Sequence, residues 1–178
     1  MFTIHTSSDG QDVFALPVNV AADEIVGLVQ AAARRRQEPS VSLVSLKRNF
    51  ESDDDRLLAA VKVAELLGFA SVSNGELELT PSGRTFAAAS SRDRTRIFGE
   101  QLRWALPWIK DLETAIARHP KQRWSAADIA MGSAHFDQNV QLEKGLLQVV
   151  EWGRYAGIFD YDSRTRDISL LNSEDAVG

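Results

Sequence analysis

A chain of 178 residues with a 44% hydrophobic and 25% charged share is composed like an ordinary soluble globular protein, with room for one domain or two small ones. Its net charge of −5 gives no global pull toward phosphate backbones, and the absence of cysteine excludes disulfides, thiolate nucleophiles and cysteine-held zinc or iron–sulfur sites. Met1–Gly10 lacks the basic and apolar regions of a secretory leader, and no run approaches the roughly 18 apolar residues of a membrane span, so a cytoplasmic protein is expected.

Residues 1–12 read as a flexible lead, and Val13–Pro17 as a docking strand or extended arm. Ala21-Ala22-Asp23-Glu24 opens a helix with acidic residues where the helix dipole favours them; Ile25, Leu28 and Val29 form its apolar stripe. Arg34-Arg35-Arg36 follows at its carboxyl end, and Pro39 prevents continuation. The triplet reads first as a solvated helix end and second as an anion or acidic-partner site. Ser42–Phe50 is expected to be a short second helix. Glu51–Asp55 should then turn into and cap a third, Asp54–Leu67, with Leu57, Val61, Ala64 and Leu67 on one face. Gly68 stops it, and Asn74-Gly75 turns a hairpin between Phe69–Ser73 and Glu76–Thr80.

Three helices followed by a hairpin is the order of a winged helix, and the design occurs twice. After a bridging helical segment at 84–107, interrupted near Ser90–Asp93, Trp108–Arg118 begins a second module. Trp124–Ile129 reads as its short helix, and Phe136–Gln141 is less clear. A helix then runs to Trp152 with Leu142, Leu146, Val149 and Trp152 on its face, stopped by Gly153. That face and that glycine both lie 85 positions after Leu57 and Gly68, which argues for a structural repeat. Ile158–Asp162 and Asp167–Leu171 form the second hairpin, with Arg164 and Arg166 in its turn. The expected fold is mainly α with small β-hairpins, α+β: tandem winged-helix modules at 13–83 and 108–171 joined by a central helix at 84–107, with a flexible tail at 172–178.

Four strings carry a family resemblance. They are Leu16-Pro17, Ala64–Ala70 (Ala-Glu-Leu-Leu-Gly-Phe-Ala), Glu76–Arg84 (Glu-Leu-Glu-Leu-Thr-Pro-Ser-Gly-Arg) and Glu151–Asp162, which contains Trp152-Gly153-Arg154-Tyr155-Ala156. Over residues 14–171 the chain resembles the AAA-associated C-terminal domain that follows the ATP-binding subunit of ABC importers for nitrate, sulfonate, taurine or bicarbonate. It has neither the Gly-x-x-x-x-Gly-Lys-Ser/Thr phosphate loop nor the Leu-Ser-Gly-Gly signature of the ATPase itself, so the resemblance carries no nucleotide chemistry to these residues. It implies a non-enzymatic regulatory or protein-interaction domain, either stand-alone or part of a longer subunit. The implied partners are transporter ATPase or permease subunits, or a second copy, and the implied location is the inner face of the membrane. A small-ligand sensor is compatible with it.

No catalytic constellation, cofactor motif or metal-ligand spacing stands out: His5, His119 and His135 lie far apart, and Asp53-Asp54-Asp55 reads better as a helix cap than as a cation site. Trp104, Trp108, Trp124 and Trp152 are expected to fill the core and the seam between modules, each indole N–H finding a partner. The alternative has Trp152, Arg154 and Tyr155 lining a pocket or interface, with Arg154 equally suited to pairing a carboxylate. The candidate partner-binding residues are therefore Trp152, Arg154, Tyr155, Arg34, Arg35 and Arg36. A DNA-binding regulator is the alternative function, but both third helices are poor reading heads. The first opens on Asp53–Asp55 with only Arg56 and Lys62 as cations, and the second opens near Asp137-Gln138-Asn139.

Overall fold

The computed structural model describes residues 19–35, 40–47, 54–125 and 140–171. The amino-terminal lead and arm, Arg36, Phe50, Asp53, Phe136–Asn139, His5, His135 and the tail lie outside these residues, as does the side chain of Leu142. The described residues are mostly helical, with two small three-stranded antiparallel sheets. Residues 19–105 form one compact unit, and 106–171 belong to a second.

In the first unit, α1 (Ala22–Ala33) is followed by β1 (Val41–Ser42), α2 (Leu43–Lys47), α3 (Asp54–Leu66), β2 (Ala70–Ser73), β3 (Glu76–Leu79), α4 (Pro81–Ala88) and α5 (Ser91–Ala105). The Glu24 carboxylate accepts the Ala21 N–H at 2.8 Å, satisfying a donor that the first turn of α1 leaves open. The second helix begins one residue later than expected, after a strand, and its expected end at Phe50 lies outside the described residues. Val41 and Ser42 pair with Leu77 and Glu76, because a two-residue segment completes the free side of β3. The sheet order is β1-β3-β2.

α4 and α5 are distinct helices. Thr80 caps α4 by accepting the Gly83 N–H at 3.0 Å, with Pro81 at the first helical position. Ser90 caps α5 through the Asp93 N–H at 3.2 Å. The core explains why both belong to the first unit: Phe69 stacks on Phe86 of α4 at 4.2 Å, and both rings lie 6.2 Å from Phe98 of α5. All three are fully buried.

The second unit contains α6 (Trp108–Arg118), β4 (Arg123–Ser125), α7 (Val140–Tyr155), β5 (Phe159–Asp162) and β6 (Asp167–Leu170), with sheet order β4-β6-β5. Trp124 is therefore in a strand rather than a helix. Arg123, Trp124 and Ser125 pair with Ser169, Ile168 and Asp167. Three residues are too short to declare themselves by periodicity, and only the partner strand makes them β. Residues 126–129 lie outside the described segments.

The repeat is present, but its register differs from the expected 85. Leu57, Ala60, Val61, Val63 and Ala64 of α3 are buried, and so are Leu146, Val149, Val150, Trp152 and Gly153 of α7, each 89 positions later. The helix endings coincide in the same register. Gly68 N–H donates to Glu65 O and Phe69 N–H to Ala64 O; Gly157 N–H donates to Arg154 O and Ile158 N–H to Gly153 O. Both helices thus end at a glycine with φ of +69°, Gly68 and Gly157. Gly153 does not stop α7, which continues to Tyr155.

A methyl group on Gly157 would meet nothing within 4 Å. Gly157→Ala should therefore cost about 1 kcal/mol from backbone strain alone, read as a lower denaturation midpoint with an unchanged slope.

The sheets also share a feature at their edges. In β2, the Val72 N–H donates to the Glu65 carboxylate at 2.7 Å. In β5 the equivalent Tyr161 N–H donates to its neighbour Asp160 at 2.9 Å. Arg154 occupies the position of Glu65, so a guanidinium stands where the first unit has the accepting carboxylate.

Candidate functional site

The candidate residues of the second unit lie at the end of α7, where one helical step of about 100° per residue sends neighbours in different directions. Trp152 points inward and is fully buried, among a core that includes Val149, Ile158, Phe159 and Ile168. Gly153 is also buried, and it keeps α7 close to β5: a Cβ there would lie 2.3 Å from Phe159 Cδ2. Arg154 points outward, its side chain 55% exposed, with Nε 3.8 Å from Asp160 Oδ1. Tyr155 is half-buried. The most distinctive string of the chain thus divides into a core half, Trp152-Gly153, and a surface half, Arg154-Tyr155. Trp152 and Arg154 do not share a surface.

In the first unit, Arg34 and Arg35 follow the last turn of α1; Arg34 is exposed and Arg35 half-buried. Their N–H groups donate to Gln30 O and Ala32 O, and their positive charge lies beyond the carboxyl end of the helix, where the dipole favours it. They belong to a different unit from Trp152, Arg154 and Tyr155.

At the start of α3, Asp54 and Asp55 are exposed, Asp54 pairs with Lys47 at 2.6 Å, and Arg56 pairs with Glu24 at 2.7 Å. The basic turn of the second hairpin is built on Asp162, whose carboxylate accepts the N–H groups of Arg164 at 2.8 Å and Thr165 at 3.3 Å. Those two backbone donors hold the Asp162 carboxyl below the ordinary aspartate range. The stabilisation from this shift is complete above the unfolded-state pKa and lost as pH falls through the lower folded value. A carboxyl-detected NMR titration should give a depressed midpoint for Asp162, and Asp162→Asn should remove that part of the acid dependence.

The four tryptophans divide. Trp152 and Trp108 are buried, Trp124 is half-buried with His119 6.0 Å away ring to ring, and Trp104 is 68% exposed. Trp104 is therefore not part of the core of its own unit. The buried Trp108 Nε1 has no hydrogen-bond partner among the described residues, against the expectation that each indole N–H finds one. Sequence reasoning also missed the Phe69–Phe86–Phe98 cluster and the pairing of Glu65 with Val72; both join elements whose proximity no local pattern encodes.

Among the described residues no three histidine, aspartate or glutamate groups gather as a metal would need, and no helix is long and apolar enough to cross a membrane. No curated protein and no solved structure is similar enough to count as a match. A family model does match, over residues 44–162, from α2 of the first unit to the end of β5 in the second and over well more than half of the chain. The span takes in both repeated helices, both glycine-terminated turns and the Trp152–Ala156 string, so the chain belongs to the family of the C-terminal AAA-associated domain.

Proposed function

We propose that the chain is a tandem winged-helix module without enzymatic activity, which regulates or docks onto the ATPase of an anion-type ABC importer at the inner face of the membrane. The observation that carries this reading is the family match across both units. The helix–strand–helix–helix–strand–strand order of the first unit supports the winged-helix part, since the strand preceding α2 completes the sheet formed by the hairpin. The partner-facing candidates are the exposed Arg154 with the half-buried Tyr155 at the end of α7, and Arg34 and Arg35 after α1, followed in the sequence by Arg36.

Co-purification of the tagged chain with the ATPase and permease from its own cells tests the reading. Recovery of either subunit, weakened by charge reversal at Arg154 or at Arg34 and Arg35, is the expected result. A preparation that recovers neither, at concentrations where both are present, overturns it. Fluorescence anisotropy with duplex DNA at low and high salt is the companion measurement. The exposed Asp54 and Asp55 at the start of α3 set like charge against phosphate, so no specific, steeply salt-dependent binding is expected. Thermal shift with nitrate, sulfonates, bicarbonate and nucleotides reads out ligand sensing through linked stabilisation.

A further inference from the structure

Each repeated helix has an outward face as well as a buried one. On α3, Asp55, Leu58, Lys62 and Glu65 are all exposed, Leu58 at 47%. Their steps of three and four residues keep them within about 80° of one another around the helix. The equivalent positions of α7, 89 later, are Lys144, Leu147, Glu151 and Arg154. Leu147 is half-buried, and the three charged residues are exposed.

The two faces carry opposite signs at every charged position. Asp55 is matched by Lys144, Lys62 by Glu151 and Glu65 by Arg154, while the leucine between them is kept. The other charged residues of α3 are engaged inside their own unit, Asp54 with Lys47 and Arg56 with Glu24. Among the described residues no ion pair occupies Asp55, Lys62, Lys144 or Glu151. Glu65 and Glu151 accept neutral N–H groups, from Val72 and Gln148, and keep their charge. Arg154 reaches Asp160 only at 3.8 Å.

Such faces fit each other and not themselves. Side by side, parallel and in register, they set Asp55 against Lys144, Leu58 against Leu147, Lys62 against Glu151 and Glu65 against Arg154. An antiparallel pairing sets Leu58 against Glu151 and Lys62 against Leu147, which desolvates charge against apolar surface. Two copies of α3 set like charges together when parallel, and Asp55 against Glu65 when antiparallel. Two copies of α7 do the same with Lys144 and Arg154.

We infer that the α3 face of one copy of this chain docks in parallel on the α7 face of a second copy. The three charge pairs set the register, and the two leucines supply the dry centre. Exposed pairs are individually weak and screened by salt, so the association is weak and salt-sensitive. The surface shares Arg154 with the transporter reading but does not rest on it, and the variants that test it leave Arg154 intact.

Sedimentation velocity of the purified full chain, from about 10 μM to about 1 mM at low salt, should show an average mass that rises with concentration, a rise that about 0.5 M salt largely removes. Lys62→Glu and Glu151→Lys should each weaken the association about five- to tenfold, by setting like charges together. The chain carrying both exchanges restores the pair and should associate like the wild type. An equimolar mixture of the two single variants should associate more strongly than either alone, because each supplies the partner that the other lacks. Both positions are exposed, so unfolding curves of all variants should overlay that of the wild type. A chain that stays monomeric across the range, or an association that neither exchange weakens, overturns the inference. So does restoration in the double variant without restoration in the mixture, which would assign the pairing to α3 and α7 of one chain.

Discussion

Gly83→Ala is expected to destabilise the protein by about 2–3 kcal/mol, although alanine is the better helix former by about 1 kcal/mol. A Cβ at Gly83 would sit 1.9 Å from the Phe69 carbonyl oxygen and 2.8 Å from its carbon. That obstacle is backbone and cannot rotate away. The same oxygen accepts the Thr80 N–H at 3.1 Å, so displacing it opens the start of the β2–β3 ladder and disturbs the ring of Phe69 stacked on Phe86. The close approach of α4 to the α3–β2 turn is what the glycine permits. Urea denaturation of wild type and variant measures the difference, and an alanine variant of equal stability contradicts the packing.

The second large effect separates the two halves of the Trp152–Tyr155 string. Trp152→Ala removes a fully buried indole from the second unit and should cost about 3–5 kcal/mol, enough to leave that unit largely unfolded if its stability is ordinary. Arg154→Ala, two residues on, should change stability by no more than about 0.5 kcal/mol, because the side chain is exposed and its approach to Asp160 is long. If Arg154 meets a partner, its loss appears in association and leaves the unfolding curve in place. Calorimetry of the two variants, followed by the co-purification assay on Arg154→Ala alone, distinguishes a residue that builds the fold from one that uses it. Comparable destabilisation by both would show that the guanidinium is structural.

The fold was legible where a local pattern repeats. The apolar face of α3, the Leu146, Val149 and Trp152 part of the face of α7, the Gly68 ending and the Asn74-Gly75 turn all follow from spacing and residue type, and the structure has them. The register of the repeat was misread for a physical reason. Four residues of helix turn through about 400°, close to one full turn, so a slip from 89 to 85 keeps much the same face apolar. Gly153 then stood in for the true ending, Gly157. The pattern identified the face but not the position along it. β4 was illegible because a three-residue strand takes its conformation from the strand beside it. Residue type alone did not tell which of the four tryptophans fills the core of its unit, because large apolar residues are not obliged to be buried and Trp104 is 68% exposed. The candidate site was legible only residue by residue. Periodicity alone would have separated Trp152 from Arg154 had α7 been carried past Gly153.

The occupied N–H groups of β2 and β5 bear on how this chain behaves when crowded. Each is one of the two outer strands of its sheet, and a bare outer strand is a template on which another molecule can add itself. Here Glu65 holds the Val72 N–H and Asp160 holds that of Tyr161, so an incoming backbone must displace a carboxylate and then face its charge. Each sheet thus has one of its two edges, the four-residue strand β2 or β5, guarded against the addition of another strand by an acidic side chain, drawn from two different positions of the repeat.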